Sequence, residues 1–195
     1  MSKNAYVTDN KNQFKDKVAV ITGSTQGIGA ETAKLFASRG SRAITICGRN
    51  EEQGLKVKHE IEQIGSECLF VKADLAEVDD CRNIISLTEK SYGTLHTLVN
   101  VAGFTERGTI LSTTLDNYEK NFNINTRAPF LLMQESIKIM RRDKIKGTIA
   151  CILSMAAYSG MPFLTAYSSS KGALAIMIKN VANAVSADQI RVNGL

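Results

Sequence analysis

The chain has 195 residues, of which 44% are hydrophobic and 22% are charged, and these values are ordinary for one globular domain with a real core. Its net charge of +5 comes from scattered lysines and arginines, and the densest basic run, 141–146, lies where a helix should end. This distribution argues against a nucleic-acid binder and suits an anionic cofactor. The four cysteines form no CxxC pair, which excludes a zinc motif of that kind and indicates free thiols in a reducing cytosol.

The first sixteen residues are polar and lack the apolar stretch of a secretory signal, so we expect a loose N-terminal arm at 1–16 and one domain at 17–195. From residue 17 onward, short β-branched runs alternate with segments in which apolar residues recur every three or four positions. This alternation predicts strands at 17–23, 43–47, 68–74, 94–100 and 147–154. Helices are expected after the glycine-rich turn at 23–29, around 57–64, at 78–92, between the fourth and fifth strands, and from about Tyr167.

Such an alternation is typical of an α/β fold in which a parallel sheet carries helices on both faces. We therefore expect a single Rossmann-type doubly wound parallel sheet, whose ligand binds at the carboxyl ends of the strands. The uncharged segment 147–170 is interrupted by glycine, proline and hydroxyl residues. It predicts a buried strand followed by a loop rather than a membrane-spanning helix.

The first strand runs into the turn "TGSTQGIG" at residues 22–29. Gly23, Gly27 and Gly29 allow the backbone to turn sharply and to approach a ligand closely, and the following helix offers free N–H groups to a pyrophosphate. Alone, the turn is about as consistent with a plain strand-to-helix connection. Its place after the first strand favours nucleotide binding, and the absence of a following Gly-Lys-Ser/Thr argues against an NTPase P-loop.

The second strand ends in "CGRN", with Gly48 followed by Arg49. A dinucleotide site that prefers NAD usually has an acidic residue at this point, where it binds the ribose 2′-hydroxyl. A guanidinium group suits a 2′-phosphate, so the sequence predicts NADP(H) over NAD(H). The alternative is a surface arginine at a strand end, and Glu51 nearby counts against the NADP(H) interpretation.

Three further patterns stand at predicted strand or helix ends. The third strand ends at Asp74-Leu75, where the rim of an adenine pocket would lie, and the fourth ends in "NVAG" at 100–103, where small residues allow close approach of a cofactor. Tyr167 and Lys171 lie four positions apart, on one face of a helix. Alone, that pair is more typical of amphipathic packing with a lysine whose head reaches solvent.

Together and in this order, the motifs resemble the short-chain dehydrogenase/reductase family from about Lys17 to the last residue. The resemblance implies that Ser154, thirteen residues before the tyrosine, is a catalytic serine, and that Asn125 is the active-site asparagine, with Asn121 and Asn123 as neighbouring alternatives. The implied catalytic residues are Asn125, Ser154, Tyr167 and Lys171. The expected cofactor-binding residues are Gly23, Ser24, Thr25, Gln26, Gly27, Ile28, Gly29, Arg49, Asp74, Leu75, Asn100, Ala102, Gly103, Tyr167 and Lys171.

The sequence departs from the family pattern at two places. Val101 replaces a second asparagine, which affects a hydrogen bond expected to stabilise the sheet rather than the chemistry. The chain stops at "IRVNGL", where the family enters its sixth strand, so we expect the C-terminal part of the domain to be missing and the sequence to be part of a longer protein.

The resemblance implies hydride transfer between NADP(H) and a carbonyl or secondary alcohol, with the tyrosine as acid and base. A tyrosine with its ordinary pKa of about 10 is a poor base near neutral pH, and lowering that value by about 3 units requires roughly 4 kcal/mol. A lysine charge about 5–6 Å away supplies roughly 3 kcal/mol at an effective dielectric constant of about 20. Ser154 would then bind the substrate carbonyl, and Asn125 would hold a water behind the lysine.

Several alternatives stay open at this point. Substrates of the 3-oxoacyl-thioester, steroid, sugar-alcohol and small-ketone types are all consistent with the motifs, and the apolar loop 159–166 favours a hydrophobic one. A catalytically silent NAD(P)-binding regulator is the alternative function, although Ser154, Tyr167 and Lys171 argue against it. A nucleic-acid binder would need a basic stripe that the sequence lacks.

The helix after Tyr167 is apolar on more than one face, which indicates that both faces are covered. We expect a homodimer or homotetramer joined through this helix and the one at about 127–142, as the family resemblance also implies. We further expect a cytoplasmic protein without a metal ion, a membrane segment or a nucleic-acid partner.

Overall fold

The structure is a computed structural model that describes residues 10–195. Within this range, strands alternate with helices, except that two α-helices lie between the fourth and fifth strands. The strands are β1 Val18–Ile21, β2 Ala43–Gly48, β3 Glu67–Lys72, β4 Thr97–Asn100, β5 Thr148–Cys151 and β6 Arg191–Gly194. The α-helices are α1 Gly27–Ser38, α2 Glu51–Ile64, α3 Val78–Tyr92, α4 Leu115–Phe122, α5 Ala128–Arg142 and α6 Thr165–Ala184.

All six strands are parallel, and their order in the sheet is β3-β2-β1-β4-β5-β6. The chain therefore builds outward from β1 to β3 and then crosses back to place β4 on the other side of β1. This reversal of direction creates the crevice in which doubly wound sheets bind their ligands. The predicted Rossmann-type α/β fold is confirmed, and the last residues do form the sixth strand.

Alternate residues of the strands pack against helices on opposite faces of the sheet, because side chains in a strand alternate sides. On one face, Ile44 and Ile46 of β2 join a buried cluster with α1 and α2. On the other face, Val18 and Val20 of β1 join a cluster with α3, α5 and α6. Both faces are thus covered, which explains why the strands read as continuous apolar runs.

Part of the N-terminal arm is anchored to the domain rather than loose. The ring of Phe14 stacks on that of Phe36 in α1 with 3.9 Å between centroids, and Lys15 forms a β-bridge with Ser41. Residues 1–9 of the arm lie outside the described residues.

The segment between β4 and β5 is more complex than its apolar pattern predicts. Two α-helices, α4 and α5, are joined without a break by a π-helix at Asn123–Arg127. A π-helix is uncommon and often marks a functional site. The basic run that follows ends α5, where Arg141 pairs with Asp188 at 2.7 Å and Arg142 pairs with Glu89 and Asp143.

Within residues 10–195, no helix combines the length and the apolar character needed to cross a bilayer. The same residues contain no cluster of three or more histidine, cysteine, aspartate or glutamate side chains suited to a metal ion.

Candidate active site

A cavity of about 370 Å³ opens at the carboxyl ends of β1 to β4, beside the point where the strand order reverses. The glycine turn forms one wall, and the ends of β2, β3 and β4 form the others. The residues that line it are Gly23, Thr25, Gln26, Gly27, Ile28, Gly29, Cys47, Gly48, Arg49, Ala73, Asp74, Leu75, Val101, Ala102, Gly103, Phe104 and Ile124. Most of the residues predicted to bind a cofactor are therefore brought together here.

The glycines of the turn are required by the local geometry. Gly23 and Gly27 have φ values of +61° and +56°, which side chains rarely adopt. A Cβ at Gly29 would lie 2.3 Å from the carbonyl oxygen of Gly23, whereas a Cβ at Gly27 would meet no atom within 4 Å. Gly29 thus permits α1 to pack on the turn, and Gly27 keeps the cavity open.

The first turn of α1 suits an anionic group. Its N-cap, Gln26, makes no side-chain capping hydrogen bond, and the first turn contains no acidic residue. The backbone N–H groups at this helix end therefore face the cavity without a carboxylate that would repel a phosphate. The glycine turn could therefore hold the diphosphate of a dinucleotide, as the sequence predicts.

The hydroxyl group of Ser24 connects two strands and does not line the cavity. The Ser24 hydroxyl is fully buried, donates to the Ile21 carbonyl oxygen at 2.5 Å and accepts from the Cys47 N–H at 3.0 Å. Ser24, predicted to bind the cofactor, therefore ties β1 to β2.

Thr22 also has a structural role, which the sequence did not predict. Its hydroxyl oxygen accepts from the N–H groups of Val101 and Ala102 at 3.1 and 3.2 Å, and its side chain is 1% exposed. This fixes the loop after β4 against the glycine turn. Only its place directly before Gly23 could have signalled the role.

Arg49 and Asp74 face each other at the rim of the cavity. The closest nitrogen–oxygen distance between them is 3.9 Å, and the Arg49 side chain is 68% exposed. Glu51, which counted against a phosphate partner for Arg49, is instead paired with Lys72 at 3.0 Å. The Asp74 carboxylate also accepts from the Ala76 N–H at 2.9 Å and so shapes the loop after β3.

Asn100 does not reach the cavity. It is buried in β4, where its side-chain nitrogen donates to the sulfur of Cys151 at 3.4 Å, and its side-chain oxygen has no hydrogen-bond partner among residues 10–195. The following residue, Val101, lines the cavity and packs on the core beside α1 and α2. Asn100 therefore binds within the sheet and does not line the cavity.

Lys171 is a buried lysine at the edge of the cavity. Its side chain is 4% exposed, and Nζ donates to the carbonyl oxygen of Ile152 at 2.8 Å. Burial lowers the pKa of Lys171, because desolvation disfavours the charged form. Nζ also lies 3.7 Å from the position that a Cβ atom at Gly103 would occupy. The lysine head group is therefore close to Gly103, which lines the cavity.

Ser154 and Tyr167 are close to Lys171 along the backbone, and neither lines the cavity. Ser154 follows β5 and caps a 3₁₀ turn at Met155–Ala157, in which its hydroxyl accepts from the Ala156 N–H at 3.2 Å. Tyr167 lies in the first turn of α6, one turn before Lys171, and is half-buried. The Lys171–Ile152 bond connects this turn to the chain two residues before Ser154.

Asn125 lies in the π-helix and is fully buried. Its side-chain oxygen accepts from the Phe104 N–H at 2.8 Å, and its side-chain nitrogen donates to the Phe104 carbonyl oxygen at 2.8 Å. The same oxygen lies 3.6 Å from the Cβ point of Gly103, beside Lys171. Of the three candidate asparagines, Asn125 is the one these contacts bring beside the lysine.

An apolar surface borders the Ser154–Tyr167 side of the site. The Gly108 N–H donates to the Phe163 carbonyl oxygen at 2.9 Å, which joins the loop after β4 to the loop before α6. The loops and the adjoining 3₁₀ turn expose the side chains of Ile110, Leu111, Met155, Tyr158, Met161 and Phe163. We call these six residues the apolar rim.

The sequence of this chain is similar to a family model and to known proteins. A family model described as "short chain dehydrogenase" matches residues 17–195. An uncharacterized oxidoreductase of Thermotoga maritima is 34% identical over 182 residues, which cover 93% of this chain and 71% of that protein. The (+)-cis,cis-nepetalactol synthase of Nepeta racemosa is 31% identical over 188 residues, which cover 95% of this chain and 68% of that protein.

A solved structure gives the same picture at the level of the backbone. The crystal structure of an NAD⁺-bound xylitol dehydrogenase superposes with a TM-score of 0.88 at 26% identity, and the match covers 93% of this chain and 70% of that one. The similarity therefore extends over nearly all of the chain.

Proposed function

The chain belongs to the short-chain dehydrogenase family and is an oxidoreductase, and from this premise we propose that it transfers a hydride between NADP(H) and a carbonyl or secondary alcohol. In this proposal Tyr167 is the acid and base. The observation that carries it is the buried Lys171, held by Ile152 one helical turn from the tyrosine and next to Gly103 of the cavity. A purely structural lysine would gain more by extending to solvent.

The preference for NADP(H) rests on Arg49. Its guanidinium stands at the end of β2 on the rim of the cavity, exposed, with only a 3.9 Å approach to Asp74, while Glu51 is engaged by Lys72. No carboxylate follows β2 directly, where a ribose 2′-hydroxyl would be bound by an acid. The xylitol dehydrogenase of similar fold is NAD⁺-bound, so the proposed preference rests on the residues of this chain and not on that structure.

The proposed reaction divides into roles that the side chains perform. A bound nicotinamide supplies the hydride for reduction or accepts it in oxidation. The Ser154 hydroxyl donates to the carbonyl oxygen of the substrate, and the Tyr167 hydroxyl delivers the proton to that oxygen. Lys171 stabilises the resulting phenolate, and Asn125, beside Lys171, holds a water that returns a proton to the tyrosine.

The substrate proposed is an apolar carbonyl compound or its alcohol. The apolar rim lies on the side of the site where Ser154 and Tyr167 lie, and most of its exposed surface is aliphatic or aromatic. The exposed Glu106 and Arg107 precede it in the loop after β4. A hydrophobic substrate would gain affinity by covering this surface, whereas a charged or highly hydroxylated one would find only the Tyr158 hydroxyl as a polar partner among the six side chains.

The proposed assembly is a homodimer or homotetramer joined through α5 and α6. A groove between these helices is lined by Phe130, Met133, Ile137 and Val181, and Phe130 is 44% exposed. A second copy would cover this apolar groove. The protein is proposed to work in the cytoplasm, in keeping with four cysteines that form no disulfide.

The test of the function compares two tyrosine variants of the full-length protein in NADPH oxidation against a panel of ketones. Tyr167→Phe is expected to lose turnover by at least about 100-fold while it keeps its NADPH affinity, because only the proton donor is removed. Tyr92→Phe is the matched control, since Tyr92 ends α3 and belongs neither to the cavity lining nor to the apolar rim. Near-normal turnover by Tyr167→Phe would refute the assignment, and NADPH binding with no turnover by the wild type on any substrate would favour the regulatory alternative.

A further inference from the structure

A chain of buried polar side chains connects α4, the π-helix and α6. Asn117, Asn121, Asn125 and Ser170 are 7%, 0%, 0% and 0% exposed. The Asn121 side-chain nitrogen donates to the backbone and side-chain oxygens of Asn117 at 2.9 and 2.7 Å, and the Asn121 side-chain oxygen accepts from Asn125 at 3.3 Å. At the other end, the Asn125 side-chain nitrogen donates to the Ser170 hydroxyl oxygen at 3.0 Å. The chain therefore ends in α6, between Tyr167 and Lys171.

The orientation of the Asn125 amide is determined by the peptide groups of Phe104. Because the side-chain oxygen accepts from one of them and the side-chain nitrogen donates to the other, the amide cannot be reversed without losing both bonds. One N–H of the amide is thereby committed to Phe104. The other is shared between Ser170 at 3.0 Å and Asn121 at 3.3 Å.

The Ser170 hydroxyl group both donates and accepts a hydrogen bond. Its single hydroxyl proton goes to the carbonyl oxygen of Tyr167 at 2.8 Å, so a lone pair of the same oxygen is left to accept from Asn125. The Ser170 carbonyl oxygen accepts from the Thr126 hydroxyl of the π-helix at 2.9 Å. The turn of α6 that carries Tyr167 and Lys171 is thus bound to the π-helix through one residue.

We propose that Ser170 is a positioning residue, which fixes the turn bearing Tyr167 and Lys171 against Asn125. This proposal rests on the proposed function, since it assigns Ser170 a part in the same site. Ser170 touches none of the reacting atoms. Without its hydroxyl, the shared N–H of Asn125 has only Asn121 to bind, the amide turns away from α6, and the contact with Phe104 loosens.

The neighbouring Ser169 provides a matched control. It has the same side chain in the same turn of α6, and its hydroxyl donates to the carbonyl oxygen of Thr165 at 2.8 Å. It is exposed and makes no contact with the π-helix among the hydrogen bonds of residues 10–195. A serine that merely satisfies a backbone carbonyl of its own helix therefore behaves as Ser169 does.

The experiment uses Ser170→Ala, Ser170→Cys and Ser169→Ala in the full-length protein. Ser170→Ala is expected to lower kcat about 5- to 20-fold with NADPH affinity within about 2-fold of the wild type, because one buried hydrogen bond to the site is lost. The pH midpoint of kcat/KM for alcohol oxidation is expected to rise, since Lys171 is less well placed to stabilise the phenolate. Ser170→Cys should fall between serine and alanine, and Ser169→Ala should match the wild type.

A second readout does not depend on turnover. Amide hydrogen exchange at Phe104 should become faster in Ser170→Ala and stay unchanged in Ser169→Ala, because the Phe104 N–H is bound by Asn125. Equal kcat, pH midpoint and Phe104 exchange in the two alanine variants would overturn the proposal. Failure of both Ser170 variants to fold would also overturn it, since a positioning role leaves the domain intact. A turnover-competent Tyr167→Phe would instead refute the proposed function, and the Phe104 exchange would then decide the Ser170 contact by itself.

Discussion

The ammonium group of Lys171 donates to the carbonyl oxygen of Ile152 at 2.8 Å, although the lysine is almost completely buried. The bond spans from α6 to the end of β5 and holds a charge-bearing group where the sheet, the glycine-lined cavity and Tyr167 meet. Burying a lysine costs stability, because the charged form loses its hydration. A buried lysine beside a cavity is a common feature of catalytic sites, which is consistent with the role proposed for Lys171.

The first prediction concerns the pH dependence of stability. The pKa of Lys171 is lowered from its ordinary 10.5, mainly by desolvation, so between the two values the unfolded chain binds a proton that the folded protein does not. The free energy of unfolding should therefore rise as the pH increases through the folded-state value toward 10.5. Lys171→Met should lack this rise. Urea unfolding of both proteins at several pH values above neutrality measures it, and parallel pH profiles would contradict the prediction.

The second prediction concerns cofactor choice. Arg49→Gln should weaken NADPH binding about 10-fold and change NADH binding little, because a charged contact with a 2′-phosphate is removed. Glu51→Gln is the control, since Glu51 is paired with Lys72 rather than with Arg49. Calorimetric titration of both cofactors decides the matter. Equal or tighter binding of NADH by the wild type would overturn the proposed preference for NADP(H).

The third prediction separates two glycines of the turn. Gly29→Ala should cost about 2–3 kcal/mol of stability, because its Cβ would lie 2.3 Å from the Gly23 carbonyl oxygen. Gly27→Ala should cost only about 1 kcal/mol, from its positive φ, yet weaken NADPH binding about 10-fold or more, because its Cβ would enter the cavity. Thermal unfolding and NADPH titration of each variant give the two readouts. Equal effects on both would count against the geometry.

The fourth prediction concerns Thr22. Thr22→Val keeps the size of the side chain but leaves the half-buried N–H groups of Val101 and Ala102 without a side-chain partner, so it should cost about 1–3 kcal/mol. NADPH affinity should fall with it, since the loop after β4 lines the cavity. Thr32→Val serves as the control, because that hydroxyl binds only Ile28 in its own helix. Urea unfolding that ranks the two variants alike would refute the role of Thr22.

The fifth prediction concerns the cysteines. All four are buried, and desolvation raises the pKa of Cys47 and Cys68 to about 12 and that of Cys81 to about 11. In the native protein they should react with a thiol reagent about 100-fold or more slowly than in denaturant. Ser38→Cys adds a thiol at an exposed helix position and should react at once. Rapid modification of a native cysteine in the wild type would contradict the prediction.

Much of the architecture followed from local pattern. The predicted helix at 78–92 coincides with α3, and the predicted strand at 43–47 lies within β2, because a buried strand or an amphipathic helix is defined by its own apolar period. The glycine turn could also be predicted from the sequence, because positive φ values and close packing require glycine at fixed positions. The π-helix was not predicted, because its five residues, Asn123–Arg127, include only one apolar residue and so show no period of their own.

The sequence by itself determined the alternation of strands and helices, the glycine turn and the pairing of Tyr167 with Lys171, because each of these depends on neighbours within a few residues. Only the tertiary structure decided that Ser24 ties strands together, that Asn125 binds Phe104 and that Ser170 joins the π-helix to α6. These contacts span 21 to 45 residues of chain. The hydroxyl and amide groups that make them have several partners within reach of their own backbone, and the packing of the sheet and helices selects which distant partner they meet.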